Sequence, residues 1–388
     1  MSGLAPVIGH EDVRGALATA ARNGELTNAL LLHGPPGIGK QRVALWLAQL
    51  LVCERQEAIP CDRCLPCRLA RQLQHPDVHW FFPLPRPKVS GGADKLGEAL
   101  EELRAEELAS RRADPLYPTG TTETTGIYLA HVQIVRRMAS TSPAMGARKV
   151  FVIGDAEALV PQEASPEAAN ALLKVLEEPP ADTTVILTAA DPEVLLPTVR
   201  SRLLPVRMRP LPDEAVRGFL VQQRGVPPAA AELLARLAQG SIGRALAYAP
   251  DGDERGPAEV LRAGARSLLA AALDGSAVPR LQAAHAQPPA GARGAYAGLL
   301  EQLALWLRDL GAAAAGADEV VVNVDAIDWL RLQAARLPAA GAGVPEALHA
   351  LDEGALLIQF NINPQLALNG VLRDVGRALQ TVGPLAGR

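Results

Sequence analysis

Cys53, Cys61, Cys64 and Cys67 are the only cysteines in the chain, spaced as C-x7-C-x2-C-x2-C. Two C-x-x-C steps share Cys64, a spacing that brings thiolates together as a tetrahedral cation requires. Zinc is the favoured occupant, and four thiolates would close its coordination shell, making the site structural. An iron–sulfur cluster could take the same four ligands, and a redox pair is a further reading. His75 and His79 lie nearby, but with four sulfurs available they read as surface or packing residues.

A second constellation follows the apolar run Ala29 to His33: Gly34, Pro35, Pro36, Gly37, Ile38, Gly39, Lys40 and Gln41, with a helical stripe of Val43, Leu47, Leu50 and Leu51 beyond. Strand, glycine loop and helix in that order make a phosphate cradle, in which backbone N–H groups and the helix dipole face the anion and Lys40 reaches its terminal phosphates. The residue after the lysine should be Ser or Thr, whose hydroxyl ligates Mg²⁺. Here it is Gln41. A glycine-rich turn without a ligand is the alternative.

Hydrolysis also needs an acidic pair at the end of a neighbouring strand. After Val150 to Ile153, glycine (Gly154) stands where the first carboxylate belongs. Asp155 comes one residue later and, on an extended chain, would point to the opposite side. Asp155 and Glu157 read equally well as the start of a polar turn.

The elements that must position these residues alternate. Ala29 to His33, Val150 to Gly154 and Val185 to Ala189 are short apolar runs bounded by breakers or charge, the pattern of buried parallel strands. A helix is expected from a cap at Ser165 through Pro166 and the stripe Ala169, Leu172, Leu173 and Leu176 to the stop at Pro179-Pro180. The class is therefore α/β. From Phe82 to Ile127 no strand pattern shows, and the charged run Glu98 to Arg112 reads as one exposed helix in an inserted loop. Beyond Leu211 helical stripes dominate: Leu261 to Leu273, Leu299 to Leu310, Ile327 to Leu337 and Leu366 to Leu379.

The chain has 388 residues, 48% hydrophobic and 21% charged, with a formal charge of −4. Those proportions exclude overall disorder, and the balance excludes a bulk nucleic-acid coat or a membrane-surface binder. No apolar run reaches the roughly 20 residues that span a bilayer, and Glu11, Asp12, Arg14, Arg22 and Glu25 interrupt the segment where a signal peptide would be apolar. A cytoplasmic location is expected.

Taken in order, the glycine loop, the four-cysteine insert, the run Ala168-Ala169-Asn170-Ala171-Leu172-Leu173-Lys174-Val175-Leu176-Glu177-Glu178-Pro179-Pro180 and Arg200-Ser201-Arg202 resemble the bacterial replicative clamp loader, a AAA+ family. The resemblance is dense over residues 7–250 and returns at Asn361 to Leu368, which looks like a last collar helix. It implies a P-loop AAA+ core over residues 1–209 with a zinc module at 53–67, a small helical lid over 210–252 and an all-α collar over 253–388. It also implies partners: motor (gamma/tau) and delta subunits, the sliding clamp, and primer–template DNA, with no membrane.

Carried over residue by residue, the motor's Mg²⁺-binding hydroxyl falls on Gln41, its first acid on Gly154, its catalytic Glu on Asp155, its γ-phosphate sensor on Ala190, and its lid arginine on Gly243, with Arg244 displaced by one. Arg202 falls on the arginine that crosses to a neighbouring subunit's ATP, with Leu203 replacing the cysteine that follows it and Arg200 the competing candidate. These departures imply a stator-like subunit that donates an arginine finger, for which ATP binding without hydrolysis is expected. The alternative is an ATP-hydrolysing motor subunit or another DNA-dependent AAA+ enzyme.

Overall fold

The computed structural model describes residues 3–55, 59–89, 93–114, 116, 125–159, 167–180, 182–250, 252, 254–287, 293–356 and 363–380. They divide into two compact units, one holding the residues up to Arg224 together with Gln239–Gly243, the other holding 225–238 and the residues from Arg244 onward. Ser165 and Pro166, the expected helix start, lie outside the described residues, as do Asn361 and Ile362.

In the first unit the order is α1 (Glu11–Asn23), β1 (Ala29–His33), α2 (Lys40–Leu51), α3 (Leu65–Arg71), β2 (Val78–Phe81), β3 (Leu84–Pro85), α4 (Ala93–Ala113), β4 (Thr125–Gly126), α5 (Leu129–Ala139), β5 (Lys149–Ile153), α6 (Glu167–Glu177), β6 (Thr183–Ala189), α7 (Pro197–Arg200), β7 (Leu204–Arg207) and α8 (Asp213–Arg224). Five strands form one parallel sheet in the order β2-β5-β6-β1-β7. Alternate residues of each central strand enter opposite cores. Leu30, Leu32, Val150, Val152 and Ile186 join Val43, Ala44 and Leu47 of α2 on one face. Leu31, Phe151, Ile153, Val185 and Leu187 join Val132, Leu172 and Leu176 on the other. Covering both faces is what makes these strands apolar throughout.

Three strands lie where the apolar runs predict them, with β5 shifted one residue toward the N-terminus and β6 starting two residues earlier. Two more, β2 and β7, carry no such signal. Strand β7 is an edge strand with exposed residues and Pro205, which donates no ladder hydrogen bond and is tolerated only at an edge. Strand β2 opens on half-buried Val78 and His79, and the His79 ring stacks on Phe151 at 5.1 Å.

The insert from Phe82 to Ile127 departs from its expectation. It contains the antiparallel pair β3–β4. Its helix is anchored, since Leu100 is fully buried and the Arg111 guanidinium lies 4.4 Å from the Trp80 ring and 3.8 Å from Phe82. The charged run hides this contact because arginines can bury their stems and planar heads on aromatic faces.

The second unit is helical, with α9 (Pro228–Ala238), α11 (Pro257–Asp274), α12 (Ala277–His285), α13 (Arg293–Ala314), α14 (Ile327–Ala334), α15 (Val344–Leu356) and α16 (Pro364–Leu379); α10 (Ile242–Tyr248) straddles the boundary. Each expected stripe falls largely within a helix, and Leu268, Leu303, Trp306, Leu307, Leu372 and Val375 share one core. Among the described residues no helix is long and apolar enough to cross a membrane.

The loop before β5 is pinned by charge. Fully buried Asp77 accepts backbone hydrogen bonds from Ala144 (2.6 Å), Met145 (2.7 Å) and Gly146 (3.2 Å), while Lys149 Nζ donates to Met138 O, Thr141 O and Thr141 Oγ1 at 2.7–2.9 Å. Burial alone would raise the Asp77 pKa, but the three amides outweigh it and hold the carboxyl below its usual value. A depressed folded-state pKa contributes stability above the unfolded value of about 3.9, and that contribution is lost as pH falls through the folded pKa. Asp77→Ala is expected to cost about 2–4 kcal/mol in denaturant unfolding at neutral pH. Between pH ~5 and ~3 the wild type should lose more stability than Asp77→Asn, which has no carboxylate to protonate.

Candidate nucleotide loop and cysteine centre

Because the five strands are parallel, their C-terminal ends share one edge. His33 pairs with Ala189 on one side and Arg207 on the other, and Ile153 pairs with Leu187. The segments leaving β1, β5 and β6 therefore converge, which is where open α/β sheets place ligands.

The loop leaving β1 keeps the cradle's backbone form. Gly34, Gly37 and Gly39 all have positive φ, and Gly39 starts α2 at φ 101°. At Gly34 a side chain is excluded outright, since a Cβ would strike the Met208 carbonyl. His10 Nε2 bonds the Ile38 carbonyl at 2.8 Å, and the Gly243 amide donates to the Gly37 carbonyl at 2.9 Å. Lys40 is buried, and its ammonium donates to Gly34 O at 2.8 Å and Pro35 O at 2.9 Å. Burial lowers its pKa, against the opposing pull of Asp155 and Glu157.

Asp155 faces the loop, contrary to the expectation for an extended chain. Strand β5 ends at Ile153, and Asp155 adopts the left-handed φ of 49°, which turns its carboxylate back toward α2. Gln41 Nε2 donates to Asp155 Oδ2 at 3.0 Å, and the Asp155 amide donates to Thr188 Oγ1 at 3.1 Å. Burial raises the Asp155 pKa, partly offset by Lys40, by the Gln41 hydrogen bond and by Arg111. Glu157 does something different, accepting the amides of Ala190 and Asp191 at the end of β6. Arg244 pairs with Glu301 in the helical unit.

A Mg²⁺ ion does not fit these residues. Gln41 brings no hydroxyl, Gly154 no oxygen beyond its backbone, and the Asp155 carboxylate is already bonded to the Gln41 amide.

Arg202 lies elsewhere. Strand β7 starts beside Leu30 and ends beside His33, so the residues before Leu204 belong to the opposite edge of the sheet. There Arg202 pairs with Glu177 at 2.5 Å and donates to Thr198 O at 2.7 Å, its side chain 34% exposed. Arg200 pairs with Glu193.

The four cysteines do come together. Sγ of Cys53, Cys61, Cys64 and Cys67 all lie within 4.8 Å of one another, with Cys61 and Cys67 3.9 Å apart. Four sulfurs about 2.3 Å from a tetrahedral centre stand about 3.8 Å apart, so the donor set suits such a cation. Cys53 and Cys67 are buried, and Cys64 caps α3 with the Cys64 amide directed at Cys61 Sγ. That amide and the Arg63 amide bring the Cys61 thiol down to about 6, whereas burial pushes Cys67 up. His75 is buried, with Nδ1 accepting from the Asp77 amide, and neither it nor His79 joins the sulfurs.

Residues 9–212 match the family model described as DNA polymerase III, delta subunit. The chain is similar to DNA polymerase III subunit tau of Salmonella typhimurium, 30% identical over 72% of this chain and 38% of that protein. It is also similar to DNA polymerase III subunit delta' of Pseudomonas aeruginosa, 34% identical over 54% and 51% of the two chains, and of Escherichia coli, 29% identical over 60% and 57%. The match thus spans between 38% and 57% of these relatives' lengths. The glycine loop, the cysteine cluster and Arg202 all fall within the segment the family model covers, and the chain belongs to the DNA polymerase III, delta subunit family.

Proposed function

We propose that this chain is a delta-prime-type subunit of the replicative clamp loader: a non-hydrolysing, stator-like member that helps load the sliding clamp onto primed DNA and lends Arg202 to a neighbour's ATP. In this reading residues 1–209 form the AAA+ core, 210–252 the lid and 253–388 the collar through which it assembles with motor (gamma/tau) and delta subunits in the cytoplasm. The observation that carries it is the edge on which Arg202 sits. From Leu204 to Arg207 the strand advances about 10 Å away from Arg202 and toward the chain's own loop. An arginine placed there serves a phosphate held by another molecule better than its own. A guanidinium suits that task because its planar fork stays charged and matches phosphate oxygens.

The loop supports the other half of the proposal. Gly34 to Lys40 retain a form that takes nucleotide, while Gln41, Gly154 and Ala190 withhold the metal ligands and the phosphate sensor. Zn²⁺ is the proposed occupant of the four cysteines, held by their thiolates as a closed, structural shell.

Three outcomes are expected. Elemental analysis of protein purified without chelator should give one zinc per chain, and iron or no metal would rule zinc out; Cys64→Ser should loosen the first unit while helicity of the second persists. The isolated chain should show no ATP turnover above a Lys40→Ala control. In the reconstituted loader, Arg202→Ala should leave assembly intact and slow the dependent ATP site by up to about a thousandfold, with Arg200→Ala doing much less. The reverse order of effects would assign the finger to Arg200, and no effect from either would end the proposed role at the interface.

A further inference from the structure

The Gln41 carboxamide is held at both ends by groups from separate strands. Its oxygen accepts from Trp80 Nε1 at 3.0 Å, and its nitrogen donates to Asp155 Oδ2 at 3.0 Å. Trp80 is itself fixed, 7% exposed, beneath the Arg111 guanidinium of α4. Asp155 is fixed by its left-handed backbone and its bond to Thr188.

The space under the amide belongs to Gly154. A Cβ there would come within 2.5 Å of Gln41 Cδ and 2.8 Å of Nε2, and would overlap Oε1 as well. Gln41 can keep both hydrogen bonds only while position 154 carries no side chain. Two residues that the sequence presents as separate losses, a missing hydroxyl and a missing carboxylate, are thus one arrangement in space.

The geometry points to a metal-free lock: the Gln41 amide, seated over Gly154 and clamped by Trp80 and Asp155, excludes a divalent cation from the loop, so that any nucleotide bound there is bound without one. An amide N–H satisfies the Asp155 oxygen with a neutral donor, and no coordination shell has to be assembled. The lock rests on the non-hydrolysing reading and explains it by replacement of the ion. It also makes positions 41 and 154 interdependent, because restoring a side chain at 154 first displaces the amide from both of its partners.

Two measurements on the whole 388-residue chain test this. The first is a thermal-unfolding cycle over wild type, Gly154→Ala, Gln41→Ser and the double variant. Gly154→Ala should lower Tm by several degrees, and most of that drop should vanish when Gln41→Ser is already present. Additive shifts would overturn the lock. The second is Mn²⁺ binding, followed by the electron paramagnetic resonance signal of free Mn²⁺ with and without ADP. Wild type should bind no Mn²⁺ in a manner sensitive to Asp155→Asn, whereas Gln41→Thr/Gly154→Asp should bind it at least tenfold more tightly than wild type. Wild-type binding that Asp155→Asn abolishes, or a folded double variant no better than wild type, would overturn the proposal. If wild type also hydrolyses ATP, the non-hydrolysing reading falls with it. Additive Tm shifts in a chain that hydrolyses nothing remove the lock alone.

Discussion

Strand β1 is hydrogen-bonded on both sides to parallel neighbours, β6 and β7, and the rest of the first unit depends on that register. Leu30 and Leu32 enter one core and Leu31 the other, so a slip of one residue would exchange every buried side chain between the faces. Packing thereby fixes the strand, and the strand fixes the edges. The glycine loop, Asp155 and Ala190 follow strands that end together, while Arg202 precedes a strand that begins at the far edge. One register separates the residues that could hold a phosphate from the residue proposed to reach another's.

At the near edge the polar groups meet one another. The Lys40 ammonium meets two loop carbonyls, Asp155 meets Gln41 and Thr188, Gln41 meets Trp80, and Glu157 meets the amides that follow β6. Buried polar groups left without partners would be costly, and each of these groups has one. At Asp155 desolvation raises the pKa, and Lys40, Gln41 and Arg111 offset that only in part.

The cysteine segment and the α4 segment are stabilised differently. The cysteine segment gathers its thiols within reach of a single cation. The α4 segment relies on Leu100 and on arginines laid over aromatic rings, Arg111 on Trp80 and Phe82 and Arg104 on Phe81 at 4.7 Å. Through Trp80 the second insert bears on the position of Gln41.

The amino-acid sequence by itself determined the α/β class, three of the five parallel strands, the helical second half, the glycine loop and the cysteine cluster. Each of these is written in local spacing: apolar runs bounded by breakers, a 3.6-residue stripe, glycines before a lysine, C-x-x-C steps. Tertiary structure alone decided the rest, because the deciding contacts join residues far apart in the chain. Strand β7 owes its place to pairing with β1, which no periodicity around Pro205 announces. The α4 helix reads as exposed until the aromatic residues beneath Arg111 are in view. Asp155 reads as pointing away until its backbone turns left-handed, and Gln41 and Gly154 read as two independent losses until the amide of one is found in the space left by the other. Local spacing records which groups a chain carries; which of them meet depends on the register that the buried strands impose.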